Sequence, residues 1–276
     1  MRKRELIIYI PVLILLVLVS SAFIMNLIRD HDTQPPVITV PSQELSVSVH
    51  DPETVLLKDV SASDNMDGDV SGQLIVEHIS NISDDFTAQV TYAAVDSSGN
   101  VAKATRTVRY ADYAPPVFNL YRPLIFVAGS SADVLSRITA VDVLDGDISK
   151  NIKATLAGDS AGLNVVGTHQ VSFRVTNSMG DTARITLPVD ILPANTYTGQ
   201  VELKANLIRL QVGDSFDPEQ YFKHLAVGGG KFTLDDGVQL RITNLVDTET
   251  AGVYSATITA SYGTAMAFTR IIVIVE

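Results

Sequence analysis

Cysteine is missing from all 276 residues, which excludes disulfides, thiolate nucleophiles and Cys-based zinc sites together. Any domain outside the cell must therefore be held by its core alone. Positive charge is scarce beyond the N-terminus. Residues 1–30 carry Arg2, Lys3, Arg4 and Arg29 against Glu5 and Asp30, a net +2, so the formal charge of −11 leaves −13 on the remainder. An acidic surface of this kind repels nucleic acid and anionic headgroups, and no nucleic-acid partner is expected. The five histidines (His31, His50, His78, His169, His224) show neither HxxxH nor HxH spacing, so no metal or catalytic role falls to them. The triplet Gly228-Gly229-Gly230 lacks the Lys-Ser/Thr pair of a phosphate loop. No enzymatic activity is expected.

One long apolar run stands out. Leu6 to Ile28 are 23 residues without a charge, and a helix rising about 1.5 Å per residue would carry them across a hydrocarbon core of roughly 30 Å. Arg2-Lys3-Arg4 favours a cytoplasmic N-terminus, and Arg29-Asp30-His31-Asp32 offers little opposing positive charge. The expectation is a cytoplasmic tip and signal-anchor helix within residues 1–30, a single membrane span, and C-terminal domains outside the cell. The competing reading is a secreted product cleaved near Ala22, since Ser20-Ser21-Ala22 suits a signal peptidase. Phe23-Ile24-Met25 continues the apolar stretch past that point and favours the uncleaved anchor.

The rest of the chain repeats. Asp64-Asn65-Met66-Asp67-Gly68-Asp69-Val70-Ser71 recurs as Asp142-Val143-Leu144-Asp145-Gly146-Asp147-Ile148-Ser149, and Pro35-Pro36-Val37 recurs as Pro115-Pro116-Val117. After each acidic block comes a hairpin with period-two alternation. Val90, Tyr92 and Ala94 share one face before the turn Ser97-Ser98-Gly99-Asn100, and Val171, Phe173 and Val175 do so before Asn177-Ser178-Met179-Gly180-Asp181. Arg106 breaks the inward pattern of the first return strand, and Pro188 suggests an edge or bulge in the second. Leu192-Pro193-Ala194-Asn195-Thr196 reads as a linker. The third unit keeps the hairpin through Tyr254, Ala256, Ile258 and Ala260, but has no Pro-Pro start, and Asp235-Asp236-Gly237-Val238 is its only candidate relic of the block. Asp217 as cap, Pro218 at the first helical position and Gln220 in a capping box predict a helix of about two turns ending at the glycine triplet. Ile271-Ile272-Val273-Ile274-Val275 is apolar on both faces, which fits a strand covered by loops or by the second unit, or else a contact surface. The fold class is all-β: three tandem immunoglobulin-like antiparallel sandwiches over residues 35–111, 115–192 and 197–276, behind one N-terminal transmembrane helix.

The Pro-Pro-Val start, the Asp-x-x-Asp-Gly-Asp-Val/Ile-Ser block and a hairpin reading Val-Thr-Tyr-x-x-x-Asp-Ser-Ser-Gly-Asn-x-Ala form a set that resembles the bacterial immunoglobulin-like domains found in tandem on Gram-positive surface proteins, including the type named after an insecticidal crystal toxin. Unit one matches most fully, through Asp64, Asp67, Gly68, Asp69, Tyr92, Asp96, Gly99 and Asn100. Unit two keeps the block but has Phe173, Asn177 and Asp181 where unit one has Tyr92, Asp96 and Asn100. The resemblance implies the fold; such domains serve as spacers, adhesins and carriers of attached enzymes, so it does not select a function.

The acidic blocks are the candidate chemistry. Asp64, Asp67 and Asp69, and again Asp142, Asp145 and Asp147, place carboxylates at i, i+3 and i+5 beside a glycine, which would supply oxygens to calcium. The other reading is a turn: Asp64 and Asp142 accept backbone N–H groups, Gly68 and Gly146 set a positive-φ corner, and Ser71 and Ser149 begin the next strand. The functional expectation is a non-enzymatic binding, adhesion or scaffold module with a protein or glycan partner, touching it through the third unit. The alternative is a structural spacer or envelope component acting through its membrane helix.

Overall fold

The longest strands come in hairpin pairs, Thr87–Val95 with Val101–Tyr110, Gly167–Thr176 with Thr182–Leu192 and Gly252–Tyr262 with Ala265–Val275, each joined by a turn that contains glycine. The structure is a computed structural model describing residues 13–24, 32–41, 44–83, 85–157 and 162–276. It contains two compact units, Met1–Asp112 and Tyr113–Glu276.

In the first unit β1 (Val37–Thr39), β2 (Leu45–Val47), β3 (Ser61–Asp64), β4 (Gly68–Asp69), β5 (Ile75–Ile79), β6 (Thr87–Val95) and β7 (Val101–Tyr110) make a three-stranded sheet, β1-β3-β4, and a four-stranded sheet, β2-β7-β6-β5. The second unit repeats this arrangement twice. First come β8 (Val117–Leu120), β9 (Ile125–Val127), β10 (Ile138–Asp142), β11 (Gly146–Asp147), β12 (Lys153–Leu156), β13 (Gly167–Thr176) and β14 (Thr182–Leu192), as β8-β10-β11 and β9-β14-β13-β12. Then follow β15 (Gln200–Leu203), β16 (Leu207–Leu210), β17 (Phe222–Val227), β18 (Gly230–Phe232), β19 (Gln239–Asn244), β20 (Gly252–Tyr262) and β21 (Ala265–Val275), as β15-β17-β18 and β16-β21-β20-β19. The same strand order therefore occurs in all three sandwiches. The sheets are not purely antiparallel as expected: β2 runs parallel to β7, β9 to β14 and β16 to β21. The second strand of each sandwich has crossed to the other sheet and lies beside the last strand, a pair that no hairpin joins and that is free to run parallel.

Burial follows the alternation. In β6, Ala88, Val90, Tyr92 and Ala94 are buried, and Tyr92 also donates its hydroxyl to Leu56 O at 2.8 Å, tying the strand to the 3-10 turn Glu53–Leu57. Arg106 points inward among these apolar residues with its Nη1 on Lys58 O at 3.1 Å, so the break in the pattern is a buried guanidinium that has found a carbonyl. Pro188 pairs across to Gln170. On its other side β9 reaches only Asp190–Leu192, so the ladder has an edge where proline has no N–H to give.

The last strand resolves its two apolar faces by packing on two cores. Ile271, Val273 and Val275 belong to the core of the third sandwich, whereas Ile272, with Ile274 and Leu207 beside it, packs into the core of the second. Arg270, on the same face as Ile272, makes a two-pronged ion pair with Asp190 of β14, Nε to Oδ2 at 2.7 Å and Nη2 to Oδ1 at 2.8 Å. Asn206 Nδ2 donates to Tyr121 O at 3.2 Å, and Arg209 Nη2 to Phe118 O at 3.2 Å.

Three local expectations are corrected. The two-turn helix is a four-residue 3-10 turn, Pro218–Tyr221; Asp217 caps it by accepting from Glu219 N at 3.1 Å, but Phe222 starts a buried strand and ends it. The glycine triplet terminates no helix and instead turns β17 into β18, with Gly228 and Gly229 at positive φ. That turn occupies the topological place of the acidic block. Asp235-Asp236-Gly237-Val238 lies after β18, where Asp236 accepts from Thr233 N and Oγ1 at 2.7 and 2.8 Å, so it is a separate turn and not a relic. Of the span expected over Leu6 to Ile28, residues 13–24 are helical with exposed side chains, and 6–12 and 25–28 lie outside the described residues. Among the described residues no helix is long and apolar enough to cross a membrane.

Candidate functional site

Each acidic block is the turn between two short strands, β3 into β4 and β10 into β11, with Asp64 opposite Gly68 and Asp142 opposite Gly146. The glycines take φ of 74° and 69°, a corner that an L side chain would strain. Asp64 Oδ1 accepts from Met66 N at 2.8 Å and Asp67 N at 3.0 Å; Asp142 Oδ1 accepts from Leu144 N and Asp145 N at 2.9 and 3.0 Å. Ser71 Oγ accepts from Ala62 N, and Ser149 Oγ from Ala140 N, both at 3.0 Å, standing in for a ladder partner where the strand leaves the sheet.

The second aspartate of each block reaches across to the following hairpin. Asp67 takes Ser97 N and Ser97 Oγ, each at 2.7 Å. Asp145 takes Ser178 N at 2.6 Å and Ser178 Oγ at 2.7 Å. The third aspartate stays local: Asp69 accepts from Ser71 N and Asp147 from Ser149 N, both at 2.9 Å. The Ser71 hydroxyl first and its N–H second hold the Asp69 carboxyl below the usual carboxylate value, and Ser149 does the same for Asp147.

The three aspartates of a block therefore do not converge on one point. What converges in the first sandwich is Asp64 with Asp32 and Asp96, one oxygen of each lying within 4.8 Å of the others, the sole such group among the described residues. Asp32 precedes β1, and Asp96 opens the turn between β6 and β7. Burial pushes the Asp96 carboxyl up, but donors outweigh it and hold it low: Asn100 Nδ2 on Oδ2 at 2.7 Å, Asn100 N on Oδ1 at 2.8 Å, and the N–H groups of Ser98 and Gly99. Asn100 Nδ2 also donates to Asp32 O at 3.2 Å.

The second sandwich fills the corresponding place differently. Asn177 stands at the position of Asp96 and Asp181 at that of Asn100, while the hydroxyl of Tyr113 enters from the leading segment. Asn177 Nδ2 donates to Tyr113 Oη at 2.9 Å and to Asp142 Oδ2 at 3.1 Å, and Tyr113 Oη donates to Asp181 Oδ2 at 2.6 Å. Burial first, and then the Asp181 carboxylate, push the Tyr113 hydroxyl upward, so it stays protonated and keeps donating.

No protein-family model matches the chain. An uncharacterized 81.3 kDa protein of Acholeplasma phage L2 is 30% identical over 139 residues, which are 49% of this chain and 18% of that protein. The pesticidal crystal protein Cry22Aa of Bacillus thuringiensis is 28% identical over 232 residues, 78% of this chain and 30% of that protein. The chain thus spans less than a third of the length of either relative. Among solved structures, Drosophila N-cadherin EC1-3 overlaps 86% of this chain and 98% of its own at 10% identity and a TM-score of 0.31. The second carbohydrate-binding module with INT domains of Clostridium perfringens ZmpB overlaps 54% and 26% at 14% identity and a TM-score of 0.23. The Cry22Aa alignment supports a repeat of β-sandwiches, and the sandwich assignment itself rests on the strand order above.

Sequence reasoning missed Asp32 altogether, because it sits in a polar linker outside the repeated motif. Asp96 was visible only as one residue of the resembled hairpin motif. A usable signal did exist: aligned on the hairpins, Asp96 and Asn100 exchange residue types with Asn177 and Asp181. That exchange alters the charge held between the block and the hairpin. In the third sandwich the glycine turn leaves an open groove of about 480 Å³ lined by Tyr197, Gly199, Gln200, Gly228, Gly229 and Lys231.

Proposed function

We propose that the chain is a membrane-anchored, surface-displayed and non-enzymatic binding or scaffold protein, anchored by the apolar run over Leu6 to Ile28 and touching a protein or glycan partner through the third sandwich. The observation that carries the non-catalytic part is how the reactive-looking side chains are used. Asp67, Asp69, Asp145 and Asp147 spend their oxygens on serine and backbone donors in turns. The packing of Ile272 and the Arg270–Asp190 pair support a scaffold role for the two sandwiches they join. The groove beside Tyr197 and the exposed Lys231 supports the choice of the third sandwich, as it lies where the other sandwiches have a closed acidic turn.

The test is capture of surface partners by the full chain, compared with Tyr197→Ala and Lys231→Glu variants of unchanged melting temperature. Loss of capture in both is expected. Capture that survives both, with function lost only when the N-terminal helix is exchanged for another, would show instead a spacer acting through its membrane segment. Deleting residues 197–276 is the poorer experiment, because it uncovers apolar surface on the second sandwich that Ile272 normally covers.

A further inference from the structure

The first sandwich gathers negative charge that its own residues do not neutralise. Asp32 and Asp96 retain 7% and 6% exposure, and among the described residues neither they nor Asp64 enters an ion pair. Asp32 Oδ1 is satisfied by Gln34 N at 3.0 Å, and Asp64 Oδ1 by its turn. Asp32 Oδ2 and Asp64 Oδ2, in contrast, are buried with no hydrogen-bond partner. A carboxylate oxygen shut away from water without donor or counter-charge is strongly disfavoured, and nearby carboxylates make it worse.

The second sandwich shows the same architecture with the deficit removed. There the oxygen equivalent to the orphan of Asp64, Asp142 Oδ2, accepts from Asn177 Nδ2, and the Tyr113 hydroxyl enters from the leading segment in place of the Asp32 carboxylate. Three carboxylates and an amide in one sandwich correspond to two carboxylates, an amide and a phenol in the other, and only the latter set closes its own hydrogen bonds.

We infer that Asp32, Asp64 and Asp96 form a divalent-cation site of the calcium class, of which Tyr113, Asp142 and Asn177 are the protein-neutralised counterpart. The ligands are all hard oxygens, without the nitrogen or sulfur that zinc or copper would select. Calcium accepts irregular sets completed by water, whereas magnesium holds to a strict octahedron. The cation fastens the segment before Pro35 to the acidic turn and to the β6–β7 hairpin, the task that Tyr113 performs by hydrogen bonds in the second sandwich. Only Asp64 of the residues picked out by the acidic blocks belongs to it.

The experiment is calorimetric titration of the full-length chain in detergent with calcium chloride, and separately with magnesium chloride, with melting temperature followed alongside. Uptake of about one calcium per chain is expected, with a dissociation constant near the 10⁻⁴–10⁻³ M of extracellular calcium modules, together with a rise in melting temperature. Asp32→Asn should weaken binding about 100-fold or more, beyond the range of such sites, and abolish the thermal response. Asp96→Asn, which places the second sandwich's residue in the first, should do the same, and Asp145→Asn should keep one site. No saturable uptake up to about 10 mM calcium would overturn the inference. So would uptake unchanged by Asp32→Asn, and equal affinity for magnesium would overturn the calcium assignment.

Discussion

Replacing Asp190 by alanine tests whether the junction between the second and third sandwiches is held as described. The pair is well shielded, with side-chain exposures of 15% for Arg270 and 5% for Asp190, and it is joined at both prongs. Thr168 Oγ1 adds a third bond to Asp190 at 2.7 Å, and Arg270 Nη1 reaches Ser255 Oγ at 2.9 Å. Removing the carboxylate strands a buried guanidinium, a change that typically costs about 3–5 kcal/mol, against roughly 0–1 kcal/mol for an exposed pair. A unit of this length shifts about 2–4 °C per kcal/mol, so Asp190→Ala should lower the melting temperature of the second unit by roughly 6–20 °C. The double variant Asp190→Leu/Arg270→Met removes both charges and should recover most of that loss, since apolar replacement of a whole buried pair is often neutral or better. Calorimetry on Asp190→Leu, on Arg270→Met and on the double variant completes the cycle. A loss below about 1 kcal/mol for Asp190→Ala, or a double variant as unstable as the single one, would refute the reasoning.

Ile272→Ala should destabilise by about 2–5 kcal/mol, and, because its side chain lies in the core of the second sandwich although its strand belongs to the third, chemical denaturation should show the transition of both sandwiches moving together. Tyr92→Phe should cost about 1–3 kcal/mol, because Leu56 O would be left without its donor, whereas the second sandwich has Phe173 there and no such bond to lose. Stability should also fall in acid. Asp69, Asp96, Asp112, Asp147 and Asp236 are held below the usual carboxylate value by their donors, so the unfolded chain takes up protons first. The stability they contribute is present above about pH 4 and is lost as the pH drops through their folded values. A melting temperature unchanged between about pH 5 and pH 2.5 would contradict this.

The sequence by itself determined whatever depends on neighbours along the chain. Alternation in β6 and β13 marks a buried face because successive side chains of a strand point to opposite sides, and Asp64 and Asp142 with a glycine four residues on mark a turn because their partners are the next backbone N–H groups. The register of the first two sandwiches follows from that. In the third sandwich, helix signals at Asp217 and Pro218 are genuine capping signals, yet Phe222 to Leu225 are drawn into a buried strand, and burial in a sheet outweighs a cap of about 1 kcal/mol. Tertiary structure alone decided the rest. It chose the second sandwich as the cover for Ile272, where the sequence offered loops or the second unit, with a contact surface as the alternative. It sent Asp67 to Ser97 and brought Asp32, Asp64 and Asp96 within 4.8 Å. Those residues lie far apart in the chain, and only the closing of the β1-β3-β4 sheet beside the β6–β7 hairpin makes their charges neighbours.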